Sequence, residues 1–267
     1  MSFEPKLDID SVLEPRKARA ALVWGLGLPS CEPTQAAEPW LAEILERARA
    51  AGEGFLPPAR KAAVRDMLRH GAYKPAGRAK PSSEYLLAAA LADDFPIVNG
   101  PVDANNAASL AFGYPASVFD LAKTGSLLRL SRGRAGESYV FNPSGQEIDL
   151  EDLLLVQRPR GGPEGAAADG AAPGEAPGTV GEAPGTVGEA AGGVGEAAGL
   201  ADGDWEACGN PVKDAAATKV FAACRDVVAV VYAPMAEPPG DLEACASLFA
   251  RLLSEGCGAA SAGFRIV

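Results

Sequence analysis

The chain has a single histidine, few and scattered cysteines, and no long apolar run. His70 is the one histidine among 267 residues, and the five cysteines form no Cys-x-x-Cys pair. This composition leaves zinc without enough ligands and favours reduced thiols over a disulfide framework. The longest apolar runs, residues 153–156 and 227–233, have the length of strands and are too short to span a bilayer. We therefore expect a cytoplasmic protein with no metal, no cofactor and no membrane partner.

Negative charge is concentrated in one part of the sequence. The formal net charge is −11, yet residues 161–206 hold nine acidic residues and neither lysine nor arginine. The rest of the chain is therefore close to neutral, and a basic stretch stands out within it. Against one acid, Asp66, this stretch has the basic residues Arg60, Lys61, Arg65, Arg69, Lys74, Arg78 and Lys80. Such a patch can contact a phosphate backbone, whereas the alternative is a solvated helix face.

The order of helical and strand-like patterns predicts an α+β fold. Apolar residues make up 48% of the chain, which is enough for a sizeable core. Apolar residues at helical spacing predict helices at 39–51, 57–70, 82–91 and 241–256. Short β-like runs predict strands at 126–131, 138–141, 153–157, 227–232 and 264–267. We expect a single domain with a mixed or antiparallel sheet flanked by helices.

A low-complexity segment interrupts this pattern. From Gly174 an imperfect heptad, Gly-Glu-Ala-Pro-Gly-Thr-Val, repeats and decays before Leu200. A tract so rich in Gly, Ala, Pro and Glu cannot bury enough apolar surface to offset the entropy of ordering. The sequence therefore predicts a disordered acidic insertion at 161–204, which separates residues 1–160 from residues 205–267 of the same domain.

The segment from Val102 to Asp120 is the strongest candidate for a binding site. It follows Asn99-Gly100-Pro101 and reads as the start of a helix that Asp103 or Asn105 can cap and Gly113 can end. The amides of Asn105 and Asn106, together with free backbone N–H groups, would form a polar cradle for a carbonyl, carboxylate or phosphate oxygen. The alternative is plain helix capping, in which these side chains bind nothing.

This segment also resembles a known family. The motif P-I-x-x-x-V-D-x-x-N-x-x-x-L-x-x-G-x-P-x-x-x-F-D is typical of the B3/B4 domain of the phenylalanyl-tRNA synthetase beta chain and of free-standing proteins built on that domain. The matching residues are Pro96, Ile97, Val102, Asp103, Asn106, Leu110, Gly113, Pro115, Phe119 and Asp120. Weaker likeness extends upstream to Tyr73 and downstream to Val156, and resumes near Trp205 to Val231, so that about half of the chain is covered.

The resemblance implies the B3/B4 editing-domain fold and a function in tRNA or aminoacyl-tRNA binding. In the synthetase, this helix start lines the pocket where misattached tyrosine is hydrolysed from tRNA, and Asn105 and Asn106 stand at the positions of a Thr-Asn pair. Asp103, Asn105, Asn106 and Ser117 are then the expected substrate-binding residues. The expected RNA contacts are Lys61, Arg65, Arg69, Lys74, Arg78 and Lys80.

Two departures from the family pattern leave the catalytic role open. Ser117 stands where the synthetase motif carries the pocket histidine, so that a general base is lost. The pocket glutamate of the synthetase falls near residues 229–231, where this chain has no acid. Two hypotheses follow. The first is a protein that binds tRNA or aminoacyl-tRNA and either hydrolyses misacylated tRNA in trans or binds RNA without catalysis. The second is a pocket that binds a free amino acid or small carboxylate without catalysis.

Two further polar residues have structural explanations. His70 follows the basic helix and is expected at a surface or a helix end, where the helix dipole favours its charged form. Asp120 can act as a base or cap the next turn, and capping is the simpler interpretation.

Overall fold

In a computed structural model of the chain, residues 3–14, 16–161 and 200–267 are described. The helices there are α1 (Pro39–Ala51), α2 (Pro58–Leu68), α3 (Ser82–Leu91), α4 (Gly100–Phe112), α5 (Leu121–Thr124) and α6 (Pro239–Arg251). The strands are β1 (Lys6–Ile9), β2 (Ala18–Leu26), β3 (Ala116–Asp120), β4 (Leu127–Arg132), β5 (Ser138–Val140), β6 (Glu147–Asp149), β7 (Leu154–Pro159), β8 (Trp205–Gly209), β9 (Val227–Pro234) and β10 (Ser261–Ile266).

Two four-stranded sheets form the framework. One has the order β10-β2-β9-β3 and is antiparallel throughout. The other has the order β1-β4-β7-β8, with a parallel β1–β4 pair and antiparallel pairs beyond it. A small hairpin of β5 and β6 completes the strands that the structure describes. Strands from both sides of the undescribed segment 162–199 share each large sheet, and the result is a single α+β domain.

The core is centred on β9. All eight of its residues are buried, as expected for an interior strand that is covered on both faces. Helix α6 packs across β2 and β10, while α4 packs on β3 and against α6. No helix among the described residues has the length and apolar character needed to cross a bilayer.

Most of the predicted helices and strands are confirmed, with small shifts at their ends. Helix α1 has the predicted bounds, and β9 and β10 occur where strands were expected. The last helix starts at Pro239 rather than Asp241, and its final turn, Leu252–Gly256, is a π-helix. The predicted insertion at 161–204 lies almost entirely outside the described residues.

The cap of α4 differs from the prediction. The helix begins at Gly100, and Asn99 caps it by accepting a hydrogen bond from the Val102 N–H at 3.1 Å. Asp103 and Asn105 therefore lie inside the helix, so the prediction that one of them caps it was wrong. Gly113 ends α4 as predicted, with a left-handed φ of 73° that favours glycine.

Replacing Asn99 with alanine should destabilise the fold. Asn99 is 3% exposed, and its Nδ2 also donates to the Val220 carbonyl at 3.3 Å. Asn99→Ala removes the cap and leaves a buried carbonyl without its donor, and we expect the free energy of unfolding to fall by about 1–3 kcal/mol. Urea unfolding measures this loss. Glu46→Ala, on the exposed face of α1, is the control and should change stability by less than about 0.5 kcal/mol; equal effects of the two changes would contradict the assigned cap.

Candidate functional site

Asparagine side chains of α4 open onto a large cavity. Its volume is about 810 Å³, within the usual range for small-ligand sites. Asn105 and Asn106 are in its wall, and we call it the asparagine cavity. Its other lining residues come from α4 itself (Val102), the loop after β2 (Cys31 to Thr34), α3 (Ser82, Tyr85, Leu86), the segment before α4 (Pro96 to Asn99), β3 (Ala116, Val118), the hairpin (Phe141) and the β8–β9 loop (Asn210, Val212 to Asp214, Lys219 to Ala222).

A second cavity of similar size has a different character. It measures about 930 Å³ and lies between α1, the end of α4 and α6. Its wall contains the charged residues Glu43, Arg47, Arg251 and Glu255. None of the residues singled out by the sequence motif lines it, and for that reason the asparagine cavity is the candidate site.

Asp103 supports the wall of the asparagine cavity without lining it. The side chain is 1% exposed. One carboxylate oxygen accepts the Val98 N–H at 2.8 Å, and the other accepts the Thr34 hydroxyl at 2.9 Å. Burial raises the pKa of this carboxyl, and these hydrogen bonds partly offset the rise. Because Thr34 and Val98 both line the cavity, Asp103 holds two wall segments in place.

Asn105 has an acceptor that no described group uses. Its Nδ2 donates to Asn106 Oδ1 at 3.3 Å and to the Ala116 carbonyl at 3.4 Å. Its Oδ1 is buried and has no hydrogen-bond partner among the described residues. Buried side-chain oxygens are normally bonded, since an unmet acceptor costs about 1–3 kcal/mol. Because this oxygen is itself buried, the more exposed Asn106 is the asparagine whose amide a ligand in the cavity can reach.

Ser117 lies within the sheet rather than in the cavity wall. It pairs with Val230 in the β3–β9 register and is fully buried. Its hydroxyl donates to the Asn210 carbonyl at 3.3 Å and accepts from the Tyr232 hydroxyl at 3.0 Å. Its neighbours Ala116 and Val118 line the cavity, as the alternation of side chains along a strand requires.

Asp214 is a cavity residue that the sequence reasoning missed. It lies in the loop after β8, where its Oδ1 accepts the Asn210 N–H at 3.3 Å. Burial raises the pKa of this carboxyl to about 7, although the nearby Ser117 hydroxyl, the Asn210 and Val118 N–H groups and the Lys219 charge lower it in part. The one local signal was an acid between Lys213 and Lys219.

Lys213 and Lys219 bring positive charge to the same side of the cavity. Lys219 Nζ donates to the Phe141 carbonyl at 2.7 Å, and burial lowers its pKa. The ammonium groups of Lys219 and Lys213 lie 4.2 and 4.7 Å from the centre of the Phe141 ring. This geometry suits cation–π contact and holds both cations beside the Asp214 carboxylate.

Two large aromatic side chains stand exposed at the rim. Tyr85 of α3 is 59% exposed and Phe221 of the β8–β9 loop is 54% exposed, and both line the asparagine cavity. Lys123 Nζ lies 4.7 Å from the centre of the Phe221 ring. Exposed aromatic faces beside cations are typical of surfaces that stack nucleobases.

The six predicted RNA contacts divide into two groups. On α2, Lys61 pairs with Glu53 at 3.3 Å, Arg69 with Asp66 at 3.5 Å, and Arg65 donates two bonds to Glu84 at 2.5 and 2.6 Å. The other group, which we call the basic loop, consists of Lys74, Arg78 and Lys80; these are exposed and make no ion pair within the described part of the chain.

The basic loop adjoins the cavity. It leads directly into α3, whose first residue, Ser82, lines the cavity and donates its N–H to the Pro211 carbonyl at 2.9 Å. Inside the loop, the Tyr73 hydroxyl donates to the Ala79 carbonyl at 2.7 Å. Three exposed cations, unpaired among the residues that the structure describes, therefore lie on the loop that leads to the opening where Tyr85 is exposed.

The two other polar residues have structural roles. Asp120 caps α5 by accepting the Ala122 N–H at 3.1 Å and pairs with Lys123 at 3.1 Å, so capping is confirmed. His70 follows α2 on the surface, with its Nε2 4.0 Å from Asp152 Oδ1. Within the described ranges, no cluster of three or more His, Cys, Asp or Glu residues is arranged to hold a metal ion.

The raised pKa of Asp214 should appear in the pH dependence of stability. The folded protein holds the proton of the Asp214 carboxyl up to about pH 7, whereas an unfolded aspartate loses its proton near pH 4. The stability that this proton contributes to the folded state is therefore present at low pH and is lost as the pH rises between these values. In Asp214→Asn this loss should vanish, so the variant gains stability relative to the wild type from pH 4 to pH 8. Urea unfolding across this range measures the difference, and a difference that is constant with pH would contradict the shift.

Comparison with known proteins adds no relative: no model of a known protein family matches the chain, and no curated protein matches it. The likeness of residues 96–120 to the B3/B4 motif therefore stays a prediction from sequence, beside an α+β fold and a cavity built around the same motif.

Proposed function

We propose that this chain binds aminoacyl-tRNA, with the aminoacyl group in the asparagine cavity and the 3′ end of the RNA at its rim, and that it hydrolyses misacylated tRNA in trans. The observation that carries the proposal is a cavity of about 810 Å³ whose wall contains Asn105 and Asn106. An aminoacyl ester has an α-ammonium group whose N–H donors suit an amide oxygen such as Asn106 Oδ1.

The lining of the cavity supports an amino-acid ligand. Apolar side chains, among them Ile97, Val102, Val118 and Val220, provide surface for a side chain, and the same wall contains amide and charged side chains. Small-molecule sites commonly combine an apolar wall with a few polar groups that fix orientation. An aminoacyl group has both an apolar part and a polar part, and it would use both kinds of surface.

The rim supports an RNA end rather than a free amino acid. Tyr85 and Phe221 offer exposed rings on which terminal bases can stack. The basic loop provides cations for phosphates, which fix position without reading sequence. Within the described residues these cations lack the internal carboxylate partners that occupy Lys61, Arg65 and Arg69.

A pocket for a free amino acid or small carboxylate is the second candidate. Lys213 and Lys219, both in the cavity wall, favour it because an ammonium group suits a free carboxylate. The two candidates differ in their response to salt: several phosphate contacts give a steep dependence on salt concentration, whereas a single buried carboxylate does not.

Neutralising the basic loop should weaken tRNA binding. In Lys74→Gln/Arg78→Gln/Lys80→Gln the three phosphate contacts are lost, and we expect the slope of log K against log salt concentration to become shallower by about 2. Filter binding or fluorescence anisotropy over a salt series measures it. The matched control is Arg47→Gln/Arg251→Gln/Arg265→Gln, which removes three exposed charges from α1, α6 and β10. Equal slopes for both triple variants would remove the RNA proposal and leave the free amino acid as the ligand.

Shortening Asn106 should weaken the binding of aminoacyl-tRNA but not that of uncharged tRNA. Asn106→Ala removes one polar group of the cavity and the acceptor of Asn105 Nδ2, so the affinity for aminoacyl-tRNA should fall about threefold to tenfold. A non-hydrolysable analogue with an amide in place of the ester is the ligand, tested with several aminoacyl groups. Uncharged tRNA is the internal control and should bind the variant and the wild type alike. An equal loss of affinity for aminoacyl-tRNA and uncharged tRNA would mean that Asn106 does not contact the aminoacyl group.

A further inference from the structure

We propose that Asp214 is the general base of the asparagine cavity, and that it accepts the proton of the water molecule that hydrolyses the aminoacyl ester. This inference rests on the proposed function, because it requires an aminoacyl ester in the cavity. Neither the sequence motif nor the family pattern assigns this residue a role.

The carboxylate is held firmly at the cavity wall. It lies in the loop between β8 and β9, four residues after Asn210, whose N–H it accepts at 3.3 Å. Its Oδ1 and the Phe119 ring occupy the space beside Gly209, each 2.5 Å from the point where a Cβ on that glycine would lie. The Asp214 carboxylate therefore packs beside the Gly209 backbone and the Phe119 ring. Asp214 is nevertheless part of the cavity wall. A base needs such a fixed position to orient a water molecule.

The surrounding groups leave Asp214 able to change charge near neutral pH. The hydroxyls of Tyr139 and Tyr232 and the thiol of Cys208 all have a pKa raised by burial, and the negative charge of Asp214 raises each of them further. These three groups are therefore neutral at pH 7. Lys219 is the cation that favours the ionised form of Asp214, and burial raises the carboxyl pKa to about 7. The groups around it are Lys213 and Lys219 from its own loop, Ser117 from β3, Tyr139 from β5, Cys208 from β8 and Tyr232 from β9.

The other carboxylates near the cavity fit this role less well. Both oxygens of Asp103 are engaged by Thr34 and Val98, and Asp103 does not line the cavity. Glu32 lines it but is exposed at the edge. Asp214 is thus the buried carboxylate that the described residues present to a ligand there.

The reaction balances without any further reactant. The water oxygen attacks the ester carbonyl carbon, and one water proton passes to the Asp214 carboxylate. When the bond between that carbon and the ribose oxygen breaks, the ribose oxygen takes the proton back from Asp214. The products are a free amino acid and a tRNA with its terminal hydroxyl restored, and the carboxylate returns to its starting state.

The experiment compares hydrolysis and binding in the same variants. Asp214→Asn keeps the size of the side chain but removes the base, so we expect deacylation of mischarged tRNA to fall about 10²-fold to 10⁴-fold. Binding of the amide-linked analogue should stay within about twofold of the wild type. The wild-type rate should rise with pH and level off near pH 7, and this inflection should disappear in the variant. Glu243→Gln, on the exposed face of α6, is the control and should keep the wild-type rate.

The outcomes separate this inference from the proposed function. If the wild type fails to bind the analogue, the proposed function falls, and the role of Asp214 falls with it. If the wild type binds but does not hydrolyse, the hydrolytic part of the proposed function falls together with the role of Asp214. If the wild type hydrolyses and Asp214→Asn keeps its rate, only the role of Asp214 is overturned. Should Asp214→Asn fail to fold, Asp214→Glu provides the test: a displaced carboxylate should lower the rate and shift the inflection, and an unchanged profile would overturn the inference.

Discussion

The central position of β9 is the constraint on which the rest of the structure depends. The strand pairs with β2 along one edge and with β3 along the other, and none of its eight residues reaches solvent. An interior strand must have both edges paired, because a buried backbone group without a partner costs as much as a lost hydrogen bond. β9 follows the β8–β9 loop, while β3 follows α4. Their pairing therefore brings Asp214 and Asn105, which are far apart in sequence, to one cavity.

The start of α4 sets where its polar side chains point. Asn99 satisfies the first turn, and Asp103 bonds outward to Val98 and Thr34. The helix thus needs nothing from Asn105 or Asn106, which lie in its second turn and line the cavity. The sequence led us to expect a cradle of the two side-chain amides together with free backbone N–H groups at a helix start. The structure keeps the two amides in the cavity wall, but the helix start lies earlier, at Gly100.

The sequence predicted local features better than long-range ones. The helical spacing of α1, the glycine that ends α4 and the apolar run of β9 all depend on neighbours along the chain, and each is where it was expected. The strand β2 was not predicted, although it lies beside β9 at the centre of the sheet. Apart from Arg19 its residues are apolar or glycine on both faces, and such a run has no period that distinguishes a buried strand from a helix.

Prediction of the candidate site from sequence has the same limit, because its partners are distant in sequence. Arg65 is in a basic row by sequence, but its guanidinium is bound by Glu84, 19 residues further along the chain. Spacing within one helix could not reveal that partner. Asp214 was missed for a related reason: an acid in a loop gains a raised pKa only from the packing that buries it, and that packing comes from β3 and from Gly209.

The proposed role of Asp214 gives one explanation for both departures from the motif. Ser117 stands where the motif has histidine, and Ala229 to Val231 stand where it expects an acid. In the β3–β9 register, Val230 is the direct neighbour of Ser117, so both changes fall at one point of the sheet. Asp214 reaches that point from the β8–β9 loop, and its carboxylate lies near the Ser117 hydroxyl. A proton acceptor is thus present beside β3 although the residues expected to provide it are absent, because a serine there leaves room for a carboxylate from another element.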